Sequence, residues 1–418
     1  MKRAALDRNA AHGKTVGPVQ VARRSVLLTS AIAVIALANL PGAPKPLVSP
    51  AIGETAAKWL PAPPADGVMG FLVTEFQMPV IQGMDACPDG PVPRLRDGFV
   101  VSLDPAERAR LVRAENKKEL EESWRAYAFG ANGTNICTNP EMFDRPVMRS
   151  VKSPLAWGLD LDGAEGTATD DPDACPQADF VSPAGERGID NQEYRALGCT
   201  LEVRGKDGVA GEIGSGMQQF LKSGEWTQVI LLRGVDSLVR DDDVEVIYAN
   251  TPDRPFLDHD GNFLRDGTFT ISTEAPRHRN VLKGRIVDGV LTTEPEDIEL
   301  TQTWGQGGAR DIRGNRTIFD YRKGRLRLAF QPDGTLKGML GGYRPLIDTF
   351  AAQTLGGAGT ALVAGIDCAT YMSTVRHFAD GLRNPKTGQC EGISSAQAIK
   401  AIPAYVNDAA VRPRTAKR

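Results

Sequence analysis

The stretch Gly324-Arg325-Leu326-Arg327-Leu328-Ala329-Phe330 alternates strictly between apolar and other residues. A period of two is what a strand with one buried face requires. Pro332-Asp333-Gly334 then turns the chain into Thr335-Leu336-Lys337-Gly338-Met339-Leu340, so the spacing predicts an antiparallel hairpin with a wet, basic face and a buried one. A second hairpin is predicted where Gly284-Arg285-Ile286-Val287 and Val290-Leu291-Thr292-Thr293 flank Asp288-Gly289, because Asp-Gly suits a two-residue turn. Thr227–Leu232, Val244–Tyr248 and the apolar run Val68–Gln82 have the branched and aromatic content of further strands. Short strands punctuated by Asp-Gly turns predict a mainly β chain with added helices (α+β), built on an antiparallel β-sandwich-like core with long Asp/Gly-rich loops.

Helices are fewer. Asp104-Pro105-Ala106-Glu107 sets a capping Asp, a proline at the first helical position and Glu three residues after the cap. Further along, Leu120, Trp124 and Tyr127 share one face. A later helix is expected to carry Tyr371, Met372, Val375 and Phe378 inward, before a short final segment near Ile402-Pro403-Ala404. The chain divides into an export leader (1–43), a Pro-rich linker (44–67), a helix and Asp-rich loop region (68–200), a β-rich region packed with it (201–405) and a flexible basic tail (406–418).

The leader reading rests on Arg23-Arg24-Ser25-Val26-Leu27-Leu28, which opens an apolar run to Leu40 behind a basic segment. This is the layout of an export signal, and the paired arginines resemble twin-arginine signals. The run is short for a bilayer span, and no later segment is apolar enough for one. Residues 1–43 carry six bases against one acid, so removing them takes the net charge from −3 to −8. An acidic mature chain makes nucleic acid a poor partner. It points to a periplasmic or secreted protein with an envelope or extracellular ligand.

The cysteines fit that compartment. All six (Cys87, Cys137, Cys175, Cys199, Cys368, Cys390) follow the leader, and their spacing matches no zinc, thioredoxin-like or haem motif. Disulfides are expected, with Cys368–Cys390 as a local staple across a Gly-Leu-Arg-Asn-Pro turn. At least one further pair is expected within Cys137, Cys175 and Cys199.

The most chemically suggestive stretch is Gly158-Leu159-Asp160-Leu161-Asp162-Gly163, followed by Asp170-Asp171-Pro172-Asp173, Cys175 and Gly188-Ile189-Asp190-Asn191-Gln192. Alternating aspartates ahead of a glycine set two carboxylates on one side of a turn, and calcium asks for six to eight oxygens. Asp160, Asp162, Asp190 and Asn191 are the candidate ligands of a calcium-type ion. No EF-hand is present, since Ala164 and Asp171 stand where its glycine-bearing loop and closing Glu belong. Asp258-His259-Asp260-Gly261-Asn262 is a weaker candidate, and solvated turns explain both clusters through backbone preference alone.

Other chemistries lack their residues. Asp160-Leu161-Asp162-Gly163 mimics the start of haloacid-dehalogenase-type phosphatases, but Lys152–Gly158 makes a poor strand and Asp241-Asp242-Asp243 lacks the βα context of a later acidic motif. Gly305-Gln306-Gly307-Gly308 has no dinucleotide-loop spacing, and neither a P-loop nor a G-x-S-x-G elbow occurs. His259, His278 and His377 are far apart. A carboxylate-based or metal-assisted hydrolase is the alternative function, requiring Asp160, Asp162 and Asp190 to meet in a concave pocket. Trp157, Trp226 and Trp304 read as core before sugar platforms. The basic run Arg310, Arg313, Arg316, Arg322, Lys323, Arg325 and Arg327 reads as a strand face paired with the Asp-rich loops before an acidic-ligand site.

The Asp-Leu-Asp-Gly loop, the cysteine after it and Gly-Ile-Asp-Asn-Gln together resemble a loose group of exported proteobacterial proteins with no assigned function. Leu282–Thr293 and Leu340-Gly341-Gly342 are similar to that group as well. The likeness spans roughly 150–405 and implies export and a common fold, without implying a reaction.

Overall fold

The computed structural model describes residues 60–408 except 82–85, 131–135, 138, 168, 206–210, 274–278, 303–316 and 355–364. The leader, all but the last residues of the linker, and the tail from 409 onward lie outside the described residues. So do Trp304, Gly305–Gly308, Arg310, Arg313, Arg316 and His278.

In chain order the strands are β1 Met69–Gln77, β2 Gln228–Arg233, β3 Arg240–Asn250, β4 Thr268–Thr270, β5 Arg279–Val287, β6 Val290–Thr293, β7 Glu296–Gln302, β8 Thr317–Phe330, β9 Leu336–Pro345, β10 Gly381–Arg383 and β11 Cys390–Asn407. The helices are α1 Leu95–Ser102, α2 Pro105–Leu111, α3 Lys117–Phe129, α4 Gln192–Leu197, α5 Leu201–Arg204, α6 Glu212–Ser223, α7 Leu346–Thr354 and α8 Cys368–His377.

The expected sandwich is corrected by one pairing. Eight antiparallel strands run β1-β2-β3-β5-β6-β8-β9-β11, and β11 pairs back onto β1, from Gly70↔Ala404 to Gln77↔Ala398. The sheet is therefore a closed barrel. Alternation along a strand reports one buried face and does not tell a sheet packed on a partner from one closed on itself. Both predicted hairpins form: Val287 pairs with Val290, and Phe330 with Leu336. Asp288 and Gly289 take φ of 49° and 76°, the positive values a type I′ turn demands.

The barrel interior is packed with side chains. Phe71, Ile230, Val246, Ile286, Leu328 and Leu340 are among its fully buried residues, and α6 adds Met217 and Leu221 to the same core. Trp226 belongs to it too, edge-on to Phe76 at 4.9 Å. Where the interior nears α4 it turns polar. Arg344 of β9 pairs with Glu193 of α4 at 2.7 Å, both buried, and the Ser395 hydroxyl donates to the other Glu193 oxygen. Breaking such a pair strands a buried charge, so it holds α4 tightly on the barrel.

Outside the barrel, α8 buries Tyr371, Met372 and Val375 as expected, and Phe378, its C-cap, is buried after them. Asp104 caps α2, its Oδ1 accepting the Ala106 N–H at 2.8 Å. Leu120, Trp124 and Tyr127 join Phe99 and Leu111 in a small satellite core. The short final segment is instead β11, eighteen residues long and buried for most of its length. Its inner face looks into the barrel and its outer face is covered, so no alternation marks it.

The expected cysteine pairs do not form. The bonds are Cys87–Cys199, Cys137–Cys368 and Cys175–Cys390. Cys368 starts α8, fully buried in a core that Cys137 packs against. Arg383 of β10 pairs with Cys390 of β11, and Cys390 meets the Asp-rich loop instead of its neighbour in sequence. Among the described residues no cysteine is free, and no helix is long and apolar enough to cross a membrane.

One buried side chain spans a gap in the barrel wall. Pro295 separates β6 from β7, and β7 pairs with β8. On the β5 side the Asn280 amide takes over. Its Nδ2 donates to Tyr248 O (2.9 Å) and Glu299 O (3.0 Å), and its Oδ1 accepts the Glu299 N–H (2.9 Å). Asn280→Ala is expected to cost about 2–4 kcal/mol, since it leaves buried backbone groups without partners. Urea denaturation followed by circular dichroism measures this. A loss below about 0.5 kcal/mol contradicts the role given to the amide.

Candidate metal centre

The Asp-rich loop lies on the outer face of β8, β9 and β11. Leu159 and Leu161 are buried with Met339, Tyr343 and Ala396. The alternation that sends the leucines inward leaves Asp160 exposed and Asp162 half-buried. Asp190 returns beside them. Its backbone N–H donates to Leu159 O at 2.9 Å, and its Oδ2 accepts the Leu161 and Asp162 N–H groups at 2.7 and 3.3 Å. Two glycines permit this approach. A Cβ on Gly158 would meet Ile189 Cγ2 at 2.6 Å, and one on Gly188, at φ +70°, would meet Ala164 O at 2.5 Å.

The basic face of β8 fastens the loop. Arg325 donates to Asp160 O (2.9 Å) and Leu161 O (3.1 Å), Lys323 contacts Asp171 (2.6 Å) and Asp173 (3.0 Å), and Arg327 pairs with Glu186 at 2.6 Å. The described part of the basic run is thus matched to the Asp-rich loop, and Arg322 pairs with Asp297 and Asp320. Cys175–Cys390 ties the same loop to β11.

Asp160, Asp162 and Asp190 each present a carboxylate oxygen, and the three oxygens lie within 4.8 Å of one another. Asp190 is 5% exposed. Burial, with Asp380, Asp162 and Asp179 close by, pushes its carboxyl up to about 8 despite the Leu161 N–H. Burial raises Asp160 as well, with repulsion from Asp162. Asp179 is pushed up to about 6 and Asp380 to about 7, burial again being the main cause. Negative charge is crowded here beyond what the local cations relieve. A hard divalent ion suits such oxygens, with water or carbonyls completing its shell.

The fourth candidate, Asn191, has both side-chain groups engaged in hydrogen bonds. It is the N-cap of α4, its Oδ1 accepting the Tyr194 N–H at 3.2 Å and its Nδ2 donating to Trp157 O at 2.7 Å. Asn before a helix is a capping signal in its own right, and it marks Asn191 as the residue that fixes Asp190 in place. Sequence reasoning missed Asp179 and Asp380. Asp179 sits in the same loop with its Oδ2 on the Gly166 N–H (2.6 Å), whereas Asp380 arrives from the α8–β10 connection with its Oδ1 on the Ser394 N–H (2.6 Å). The second sequence cluster is a self-contained turn: Asp258 accepts from Asp260 and Asn262, and its carboxyl is held low by them.

No family model matches this chain, and no match is found among curated proteins or solved structures.

A pH dependence follows from Asp190. Its carboxyl holds a proton more tightly when folded than at the ordinary value of 3.8. The resulting stabilisation is complete below that value and is lost as pH rises through about 8. In chelator, the melting temperature of the wild type is expected to fall between pH 5 and pH 8.5 more steeply than that of Asp190→Asn. Parallel curves for the two proteins contradict the assignment.

Proposed function

We propose that this chain is exported and works in the periplasm or outside the cell as a non-catalytic binding protein, stabilised by a calcium-type ion on Asp160, Asp162 and Asp190. The observation that carries the reading is the convergence of three carboxylate oxygens within 4.8 Å, one of them on a buried residue. A divalent cation offsets the repulsion and desolvation that raise Asp160 and Asp190. It also bridges the two arms of a loop that covers the barrel wall. Three disulfides support maturation in an oxidising compartment, in keeping with the leader predicted from Arg23-Arg24. The envelope or extracellular ligand follows from that location and from the acidic mature chain.

The group holds only aspartates. An all-oxygen group of this kind suits a hard cation. Of two cavities, of about 690 and 360 Å³, the larger is lined by Leu346, Met372 and Cys390 and the smaller by Asp242, Arg285 and Arg325.

Calcium at a hundredfold excess over its dissociation constant is expected to add about 2.7 kcal/mol and to raise the melting temperature, with EGTA reversing the gain. Asp160→Asn and Asp162→Asn are expected to abolish the calcium response while leaving the fold intact by circular dichroism. A melting curve indifferent to calcium and EGTA would overturn the proposal.

A further inference from the structure

We propose that Cys175–Cys390 is a reducible clasp on the Asp-rich loop, and that opening it weakens the hold of Asp160, Asp162 and Asp190 on their cation. The proposal rests on the cation reading above.

The three disulfides differ in what surrounds them. Cys87 and Cys199 are both buried, at 2% and 0% exposure. Cys137 is half-buried, but its partner Cys368 is fully buried in the core that Cys137 and Cys390 both pack against. Cys175 and Cys390 are each only half-buried, and Cys390 lines the open cavity of about 690 Å³ between α7, α8 and β10. Thiol–disulfide exchange needs an attacking thiolate to reach a sulfur, so access sets the order in which the bonds open.

The bond also stands where it matters for the loop. Cys175 lies between the Asp160–Asp162 arm and Asp190, and it joins them to the first residue of β11. Around it the loop is also held by the Lys323 ion pairs with Asp171 and Asp173 and by hydrogen bonds: the Cys175 N–H donates to Asp380 O (2.7 Å), the Arg383 N–H to Asp173 O (2.8 Å), and the Arg383 guanidinium to Ala174 O (2.7 Å). These contacts keep the opened loop near the barrel, so the expected effect is loosening instead of unfolding. The other two disulfides and barrel closure remain.

In the step, a thiolate of a small dithiol attacks one sulfur of the pair. The S–S bond breaks, and the other cysteine leaves as a thiolate and takes a proton from water. The second thiol of the reagent then closes on the mixed disulfide, freeing the remaining cysteine. The protein gains two electrons and the dithiol becomes a cyclic disulfide.

The test treats the mature protein with graded dithiothreitol, traps thiols with iodoacetamide and maps them by mass spectrometry. Calcium affinity is measured calorimetrically before and after, and in the Cys175→Ser/Cys390→Ser double variant. Cys175 and Cys390 are expected to be labelled first, with calcium affinity reduced about tenfold in both the reduced protein and the variant. Amide exchange at Leu161, Gly163 and Ala164 is expected to accelerate. Earlier or simultaneous opening of either other disulfide overturns the clasp, as does an affinity unchanged in both samples. An intact protein that takes up no calcium overturns the cation reading and the coupling with it. The order of reduction and the amide exchange then still decide whether the bond holds the loop.

Discussion

The pairing of β1 with β11 is the interaction on which the rest of the structure depends. It joins residues 70–77 to residues 398–404 and turns an open sheet into a barrel. Closure satisfies the backbone groups that an edge strand would leave to solvent or to another chain. It also makes two separate surfaces from one sheet: an interior filled by its own side chains, and an outer wall free to carry additional structure. With the interior packed, the wall and the loops are the surfaces the barrel presents.

The Asp-rich loop is the most elaborate structure on that wall. Leu159 and Leu161 hold it by burial, Lys323, Arg325 and Arg327 by charge, and Cys175–Cys390 covalently. These three kinds of restraint converge on a segment that otherwise repels itself, with Asp160, Asp162, Asp179, Asp190 and Asp380 in one neighbourhood. Protons relieve the crowding at low pH, and the proposed divalent cation would relieve it at neutral pH. The buried Glu193–Arg344 pair adds rigidity from the other side. It fixes α4 three residues after Asp190, and Asn191 caps that helix.

The parts of this arrangement legible in the sequence are the local ones. Asp288-Gly289 and Pro332-Asp333-Gly334 announce their hairpins because turn chemistry is set by the residues in the turn. Asp160 and Asp162 were recognisable because alternation before a glycine is also local. Closure was not legible, since Phe71 and Pro403 meet across more than three hundred residues and either strand alone suits a sandwich equally well. β11 lacked a pattern because both its faces are covered. Nearness in sequence pairs Cys390 with Cys368, whereas the structure bonds Cys390, at the start of β11, to Cys175 in the Asp-rich loop. Asp380 carries no local signal, while Asn191 carries the signal of a helix cap as well as that of an oxygen ligand.

Three carboxylates on the barrel wall are proposed to form a cation site. A crystal structure of the mature protein grown with calcium tests it most directly. An ion with anomalous signal is expected, bound by Asp160, Asp162 and Asp190 oxygens at about 2.3–2.6 Å, with Asn191 still capping α4. Only water among those three carboxylates, at a calcium concentration that fills ordinary extracellular sites, would contradict it.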